Sequence, residues 1–316
     1  MRYFILAVLI IGISFSYFFF GSAKRADKIV WGVNFSQKQA ENLGLDWKET
    51  LSFLLSDLGA RNFKIAVYWD LIEQKEGEYR FEDLDWQIRE LGKYGAKAIL
   101  VVGRKSPRWP ECHEPSWVRN QISNLKSQIL LEYLKEVVNR YKDSGAVWAW
   151  QVENEPFLKF GQCPWPPNEE LLKEEVSLVK SLDNRRPVIV SASGEWSSWF
   201  KEARIGDMVG ITMYRTAWFE DYQRQIKYPF PPVFYWLKAQ LIKTFFQKDV
   251  LVIELQAEPW RESIGLREIQ KNIAFAKKTG FDRFYFWGAE WWYWLKTKKG
   301  DPGIWEEARN TFRENI

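Results

Sequence analysis

From Lys28 onward, short β-branched or aromatic runs alternate with longer amphipathic stretches, and no Gly/Ser linker or shift in composition separates two halves. Residues 29–34, 63–68, 98–102, 147–152, 188–191, 208–213, 250–255 and 284–287 read as strands. Helical spacing of apolar positions marks 47–58, 84–94, 127–141, 169–181, 233–246, 266–279 and 304–313. Short strands that are apolar on both faces belong to parallel sheets, and each return in such a sheet needs a crossover helix. Eight units of this kind in about 290 residues predict an α/β fold, a (β/α)8 TIM barrel forming a single domain over residues 24–316. A doubly wound sheet is the competing arrangement, but its usual phosphate loop is absent, because Gly32-Val33-Asn34 opens no G-x-G-x-x-G.

Residues 3–20 carry no charge and are interrupted only by Gly12, Ser14 and Ser16. Gly21-Ser22-Ala23 then precedes Lys24-Arg25. The small residues suit a secretory cleavage site, whereas the run exceeds a usual signal core of roughly 7–15 residues and is nearly long enough to span a bilayer. Residues 1–23 are therefore expected to be a signal peptide or a membrane anchor, with membrane contact through residues 3–20 if uncleaved. The domain is expected to be secreted or membrane-anchored outside the cytoplasm.

The formal net charge of +4 comes largely from Arg2, Lys24, Arg25 and Lys28 near the N-terminus, so the folded part is close to neutral. Nucleic acid is a poor partner on that ground, since phosphate binding needs a concentrated basic field. Two cysteines and one histidine exclude a four-cysteine zinc site, a two-histidine metal motif and any triad with a histidine elsewhere. Nineteen tryptophans are several-fold more than cores usually need. Flat aromatic faces are one way to hold the C–H faces of sugar rings.

In a (β/α)8 barrel, chemistry belongs at the carboxyl ends of the strands. The fourth predicted strand runs into Glu153-Asn154-Glu155-Pro156, and the seventh ends Ile253-Glu254-Leu255. A carboxylate at the lip of an apolar strand is desolvated and costs several kcal/mol unless something compensates it. Two carboxyl groups about 5–5.5 Å apart can run double displacement at a glycosidic bond, one as nucleophile and the other as acid and then base.

Trp150-Gln151-Val152-Glu153-Asn154-Glu155-Pro156, with Glu254 closing the seventh strand, resembles the retaining glycoside hydrolases of clan A, the cellulase and β-galactosidase-like barrels. The resemblance takes in Tyr68-Trp69-Asp70-Leu71-Ile72-Glu73 and Gly77-Glu78-Tyr79-Arg80-Phe81 and covers nearly all of the chain after Lys28. It implies a hydrolase of β-linked oligo- or polysaccharide, needing no cofactor, with Glu155 as acid/base and Glu254 as nucleophile. Asn154 would bond the sugar 2-hydroxyl, Tyr214 would orient Glu254, and Trp287 would floor the subsite where the bond breaks. Lys64 stands where these enzymes often carry an arginine that bonds the nucleophile. Lysine lacks the planar fork, and it could instead lie on the lower side of the barrel. The alternative function is a catalytically silent cell-surface glycan-binding protein on the same barrel.

The third and fourth loops each hold one cysteine, Cys112 and Cys163, so a rim disulfide is expected in an oxidising compartment; a metal site of Cys112, His113 and Cys163 has too few ligands. His113 is expected to bond substrate or loop, and Glu290, in the run Trp287-Gly288-Ala289-Glu290-Trp291-Trp292, either to bind sugar hydroxyls or to be a solvated loop carboxylate. Nothing in the sequence fixes the oligomeric state.

Overall fold

The computed structural model describes residues 21–163, 168–219, 222–259 and 264–314. The expected signal or anchor over residues 3–20 lies outside them, as do Trp165 and its prolines. Among the described residues, no helix is long and apolar enough to cross a membrane. Ala23, at the boundary drawn from the sequence, is buried.

Strands β1 (Val30–Phe35), β2 (Asn62–Ala66), β3 (Lys97–Val102), β4 (Val147–Val152), β5 (Val188–Ala192), β6 (Met208–Met213), β9 (Asp249–Gln256) and β10 (Arg283–Trp287) form a closed barrel. Every neighbouring pair in it is parallel, and β10 closes on β1. Closure rules out the doubly wound alternative. The two remaining strands, β7 (Thr216–Phe219) and β8 (Arg224–Lys227), make an antiparallel ribbon after β6. Four residues a side give too short an alternation to be read from sequence.

The apolar residues fall into two layers. Ile99, Ala149, Ile189, Leu251, Ile253 and Tyr285 fill the barrel interior, and a larger cluster packs the outside of the strands against the helices. Helix ends follow local chemistry: Asp46 accepts from the amides of Lys48 and Glu49 at the start of Trp47–Ser56, and Asn168 does the same for Glu169–Leu182. Trp69, Trp150, Trp199, Trp292 and Trp305 are fully buried, so much of the tryptophan excess is core. Among the described residues, Trp109 and Trp196 are the most exposed indoles, at 60% and 70%.

One irregularity matters for the site. Leu251 and Ile253 point into the barrel while Val252 and Leu255 pack outside, so strict alternation would send Glu254 outward. The register of β9 instead shifts by one residue against both neighbours, pairing Ile211 with Val252 but Thr212 with Glu254. A bulge of this kind re-aims a side chain, and here it brings Glu254 to the inner lip.

Candidate active site

Side chains from β2, β5, β6 and β9 and from the turns after β4 and β6 converge on one cluster. Lys64, from the middle of β2, is buried, and its Nζ donates to Glu254 Oε1 at 2.6 Å and to Asn154 Oδ1 at 3.4 Å. One ammonium thus touches residues ending the fourth and the seventh barrel strands. This settles the placement left open by the sequence: Lys64 lies in the cleft, not on the lower side. Tyr214, directly after β6, donates its phenol to Glu254 Oε2 at 3.0 Å. Both oxygens of Glu254 therefore have a donor, which compensates its burial.

The turn after β4 carries Glu153, Asn154 and Glu155, with Glu153 and Glu155 both in the left-handed region at φ 57° and 45°. Such backbone is costly outside glycine and needs outside support. Glu153 supplies part of it, accepting from the amides of Arg104 and Lys105 at 2.9 and 2.7 Å. Gly103 makes room, since a Cβ there would lie 2.6 Å from Glu153 Oε1, and its φ of +118° suits only glycine. Ser191 in β5 accepts the Glu155 amide at 2.7 Å, and Lys105 Nζ donates to the carbonyls of Glu155 and Leu158.

Glu155 is half-buried, with Oε1 accepting from Thr212 Oγ at 3.2 Å. Burial, and next the charge of Glu254, push its carboxyl up to about 7, against the opposing pull of Lys105 and Thr212. The two glutamates thus sit in different surroundings. Glu254 has a contacting ammonium, whereas Glu155 has a hydroxyl and a carboxylate for company.

Other expected site residues are placed differently. His113 is buried; Nδ1 faces Lys38 Nζ at 3.0 Å and Nε2 faces the Arg108 carbonyl at 3.1 Å. Lys38 can only donate, so Nε2 carries the proton. Burial and then Lys38 lower the imidazole to about 3, so the ring is neutral and braces the loop rather than reaching for a ligand. Glu290 is completely buried, accepting the Ser36 amide at 2.5 Å and Arg108 Nη2 at 3.1 Å. That corrects the expectation that it meets sugar hydroxyls, because both its oxygens face protein donors. Trp287 ends β10 and is half-buried, but the Arg108 guanidinium lies 3.8 Å from its ring centroid and covers one face. Arg108 is fixed there by ion pairs to Glu258 and Glu290. Cys112 and Cys163 are joined by a disulfide that ties the third loop to the fourth. Among the described residues, no cluster of three or more metal-ligating side chains is placed to hold an ion.

Sequence reasoning missed Thr212, Ser191 and Arg108, which look ordinary in a linear reading. It also missed Glu111, buried in the third loop, whose Oε2 accepts from Asn154 Nδ2 at 3.4 Å. The only hint was its place beside Cys112.

No family model matches the chain. It is 32% identical over 189 residues to mannan endo-1,4-β-mannosidase 3 of Solanum lycopersicum, a match covering 53% of this chain and 45% of that protein. It is 39% identical over 62 residues to a probable mannan endo-1,4-β-mannosidase A-2 of Aspergillus terreus, covering 20% and 15%. The chain thus spans less than half the length of the curated relatives it matches. Among solved structures, the hyperthermostable endo-1,4-β-D-mannanase of Thermotoga petrophila RKU-1 superposes with a TM-score of 0.63 at 15% identity, over 90% of this chain and 99% of that one. A β-galactosidase of Halorubrum lacusprofundi gives a TM-score of 0.60 at 14% identity, over 90% and 58%. At that identity the structural likeness speaks for the fold. With the mannosidase match it gives the similarity read from Asn154, Glu155 and Glu254 its footing: the chain resembles the glycoside hydrolase barrels of clan A.

Proposed function

We propose that the chain is a retaining β-glycoside hydrolase acting on a β-linked oligo- or polysaccharide, with β-1,4-mannan the first polymer to test. The observation that carries the reading is the buried Lys64 ammonium touching both Glu254 and Asn154, with Tyr214 on the other Glu254 oxygen. This arrangement pairs and aims one carboxylate, beside a second carboxyl whose surroundings favour the protonated form near neutral pH. Two carboxyls in contrasting environments are what an acid and a nucleophile require.

In the first step Glu254 attacks the anomeric carbon as Glu155 gives its proton to the leaving oxygen, so the glycosidic bond breaks and a glycosyl ester forms. In the second step Glu155, now a carboxylate, takes a proton from water, whose oxygen displaces Glu254 and restores both groups. Asn154 faces the sugar 2-hydroxyl, a contact that strengthens as charge develops at the anomeric centre. The Trp287 face opposite Arg108 is the one left to floor the subsite where the bond breaks. Neither step draws on a metal or an organic cofactor.

The silent glycan-binding alternative rests on the lysine at position 64 and on the tryptophan excess, much of which is core. The ion pair of Lys64 with Glu254 at 2.6 Å is the contact the usual arginine would supply, and that favours the enzyme. The cystine supports an oxidising compartment, and with the uncharged run at 3–20 we place the domain, residues 24–316, outside the cytoplasm behind a signal or anchor.

The test is an aryl-glycoside and mannan screen of the protein with Glu155→Ala and Glu254→Ala, reading the anomer first formed by proton NMR. Net retention is expected. Azide should restore turnover in both variants, giving a glycosyl azide of retained configuration with Glu155→Ala and of inverted configuration with Glu254→Ala. An inverted first product from the unsubstituted protein would reject the mechanism.

A further inference from the structure

A third carboxyl enters this cleft from a loop the reaction above leaves unused. Glu111 follows Pro110 in the third loop, with its backbone in the left-handed region at φ 74°. Its amide donates to the Arg108 carbonyl at 2.7 Å, and its own carbonyl accepts from the Ser106 amide at 2.8 Å. Cys112, the next residue, is bonded to Cys163, and the fourth loop returns so closely that a Cβ on Gly161 would lie 2.5 Å from Glu111 Cβ. At Gly161, φ is +89°, so two constraints exclude a side chain there. The fold thus spends a strained backbone, a glycine and a cystine on holding one buried glutamate in place.

That placement is costly. Burial, then the Glu155 charge, raise the Glu111 carboxyl to about 8, with Glu254 adding to the effect while Lys105 and the Asn154 bond oppose it. A glutamine or an apolar residue would avoid the cost, so a compensating use is implied. The side-chain bond that Glu111 makes to Asn154 identifies it. Asn154 Oδ1 receives Lys64 Nζ at 3.4 Å and Gln151 Nε2 at 3.2 Å, and Asn154 Nδ2 donates to Glu111 at 3.4 Å. Donors hold one end of the amide and an acceptor holds the other, which fixes its flip and leaves the second Nδ2 hydrogen for a ligand.

We propose that Glu111 is a positioning residue, held by the braced third loop, that fixes the Asn154 amide with an N–H aimed at the 2-substituent of the sugar. It acts through Asn154 and does not itself touch the reacting atoms. The inference rests on the function proposed above for its kinetic meaning, but the Glu111–Asn154 coupling can be read without turnover.

Two measurements on the full chain test it. In the nitrogen-15 spectrum, the side-chain amide of Asn154, identified by its loss in Asn154→Ala, should show one hydrogen-bonded proton, downfield and slow to exchange, in the unsubstituted protein and in Glu111→Gln. In Glu111→Ala the two protons should converge, and an unchanged pair there would overturn the proposal whether or not any glycoside is cleaved. In kinetics, Glu111→Ala should lower kcat/KM on an aryl β-glycoside about tenfold, the rate equivalent of one ordinary hydrogen bond. On the matching 2-deoxy glycoside the loss should shrink to less than about twofold, and Glu111→Gln should restore most of the activity. Equal losses on both substrates would mean a merely structural role and would also overturn it. If Glu111→Ala does not fold, Glu111→Leu, which keeps the volume without an acceptor, carries both comparisons. If no glycoside is cleaved by any form, the functional reading falls while the amide signal still decides the coupling.

Discussion

Replacing Lys64 with methionine isolates the charge that organises the cleft. Methionine keeps most of the unbranched stem and removes the ammonium, leaving Glu254 with Tyr214 as its remaining side-chain donor. The Lys64 and Glu254 side chains are 0% and 4% exposed, so water screens the pair little. At an effective dielectric near 20, unit charges about 3 Å apart attract by roughly 5 kcal/mol. The desolvation that offsets this in the intact protein becomes uncompensated when one partner is deleted, and deletions of that kind cost about 3–5 kcal/mol. Lys64→Met should therefore lower the unfolding free energy at pH 7 by that amount and the thermal midpoint by about 5–15 °C. Urea unfolding followed by tryptophan fluorescence and circular dichroism measures it, provided the two probes coincide. The decisive comparison is the pair of substitutions together. In the Glu254→Gln background no carboxylate remains to be stranded, and the cost of Lys64→Met should drop by at least half. A loss below about 1 kcal/mol, or an equal loss in both backgrounds, would refute a coupled buried pair.

Three further outcomes follow from the same geometry. Glu155 is held near 7 in the fold against 4.5 as its ordinary value, so between those limits the unfolded chain releases a proton the folded one keeps, and stability falls as pH rises through that window. Glu155→Gln should accordingly be the more stable form at pH 8, by about 1–2 kcal/mol, with the gain vanishing at pH 4 in melts across pH. His113 is the sole histidine and is held at about 3, so its ring-proton NMR signals should stay unshifted from pH 8 to pH 4. Its sign is opposite: stability is lost as pH falls below about 6.5, where the unfolded imidazole takes up a proton, and a ring titrating near 6.5 in the native protein would contradict its burial. The Cys112–Cys163 cystine closes a separation of 51 residues, and Cys112→Ser with Cys163→Ser should cost about 4 kcal/mol in denaturant unfolding. The same melt repeated with reductant on the unsubstituted protein should reach that value, and no difference between oxidised and reduced forms would sink the estimate.

Much of the frame was legible because it is set by local physics. The strands at 147–152 and 208–213 match their observed bounds, since buried β-branched and aromatic runs leave no other way to bury both faces. The helix over residues 289–298 shows no helical signature in sequence, because its three tryptophans and a tyrosine carry no clear polar face; it is held by tertiary contact, with Trp292 Nε1 donating to the Ala257 carbonyl. Helices of four or six residues, such as Trp69–Ile72 and Phe200–Ile205, are likewise too short to show a period.

The site divides along the same line. Glu254 stands out in the sequence because it closes an apolar strand, where a charge demands a reason, and Glu155 because Pro156 fixes it at the turn after the fourth strand. Glu290 drew the same attention for its place among tryptophans, yet its oxygens face Ser36 and Arg108. Linear order gives a carboxylate's neighbours in the chain, but its partners are set across the barrel.

What the sequence alone determined is the eight-strand barrel pattern and the two glutamates that follow or close its strands, because periodicity and the cost of burying charge are written residue by residue. What only the tertiary structure decided is where those charges point and what meets them. Strict alternation sends Glu254 outward, and a one-residue bulge against β6 and β10 turns it inward onto Lys64. Register of that kind arises from pairing between segments far apart in the chain, so no local pattern encodes it.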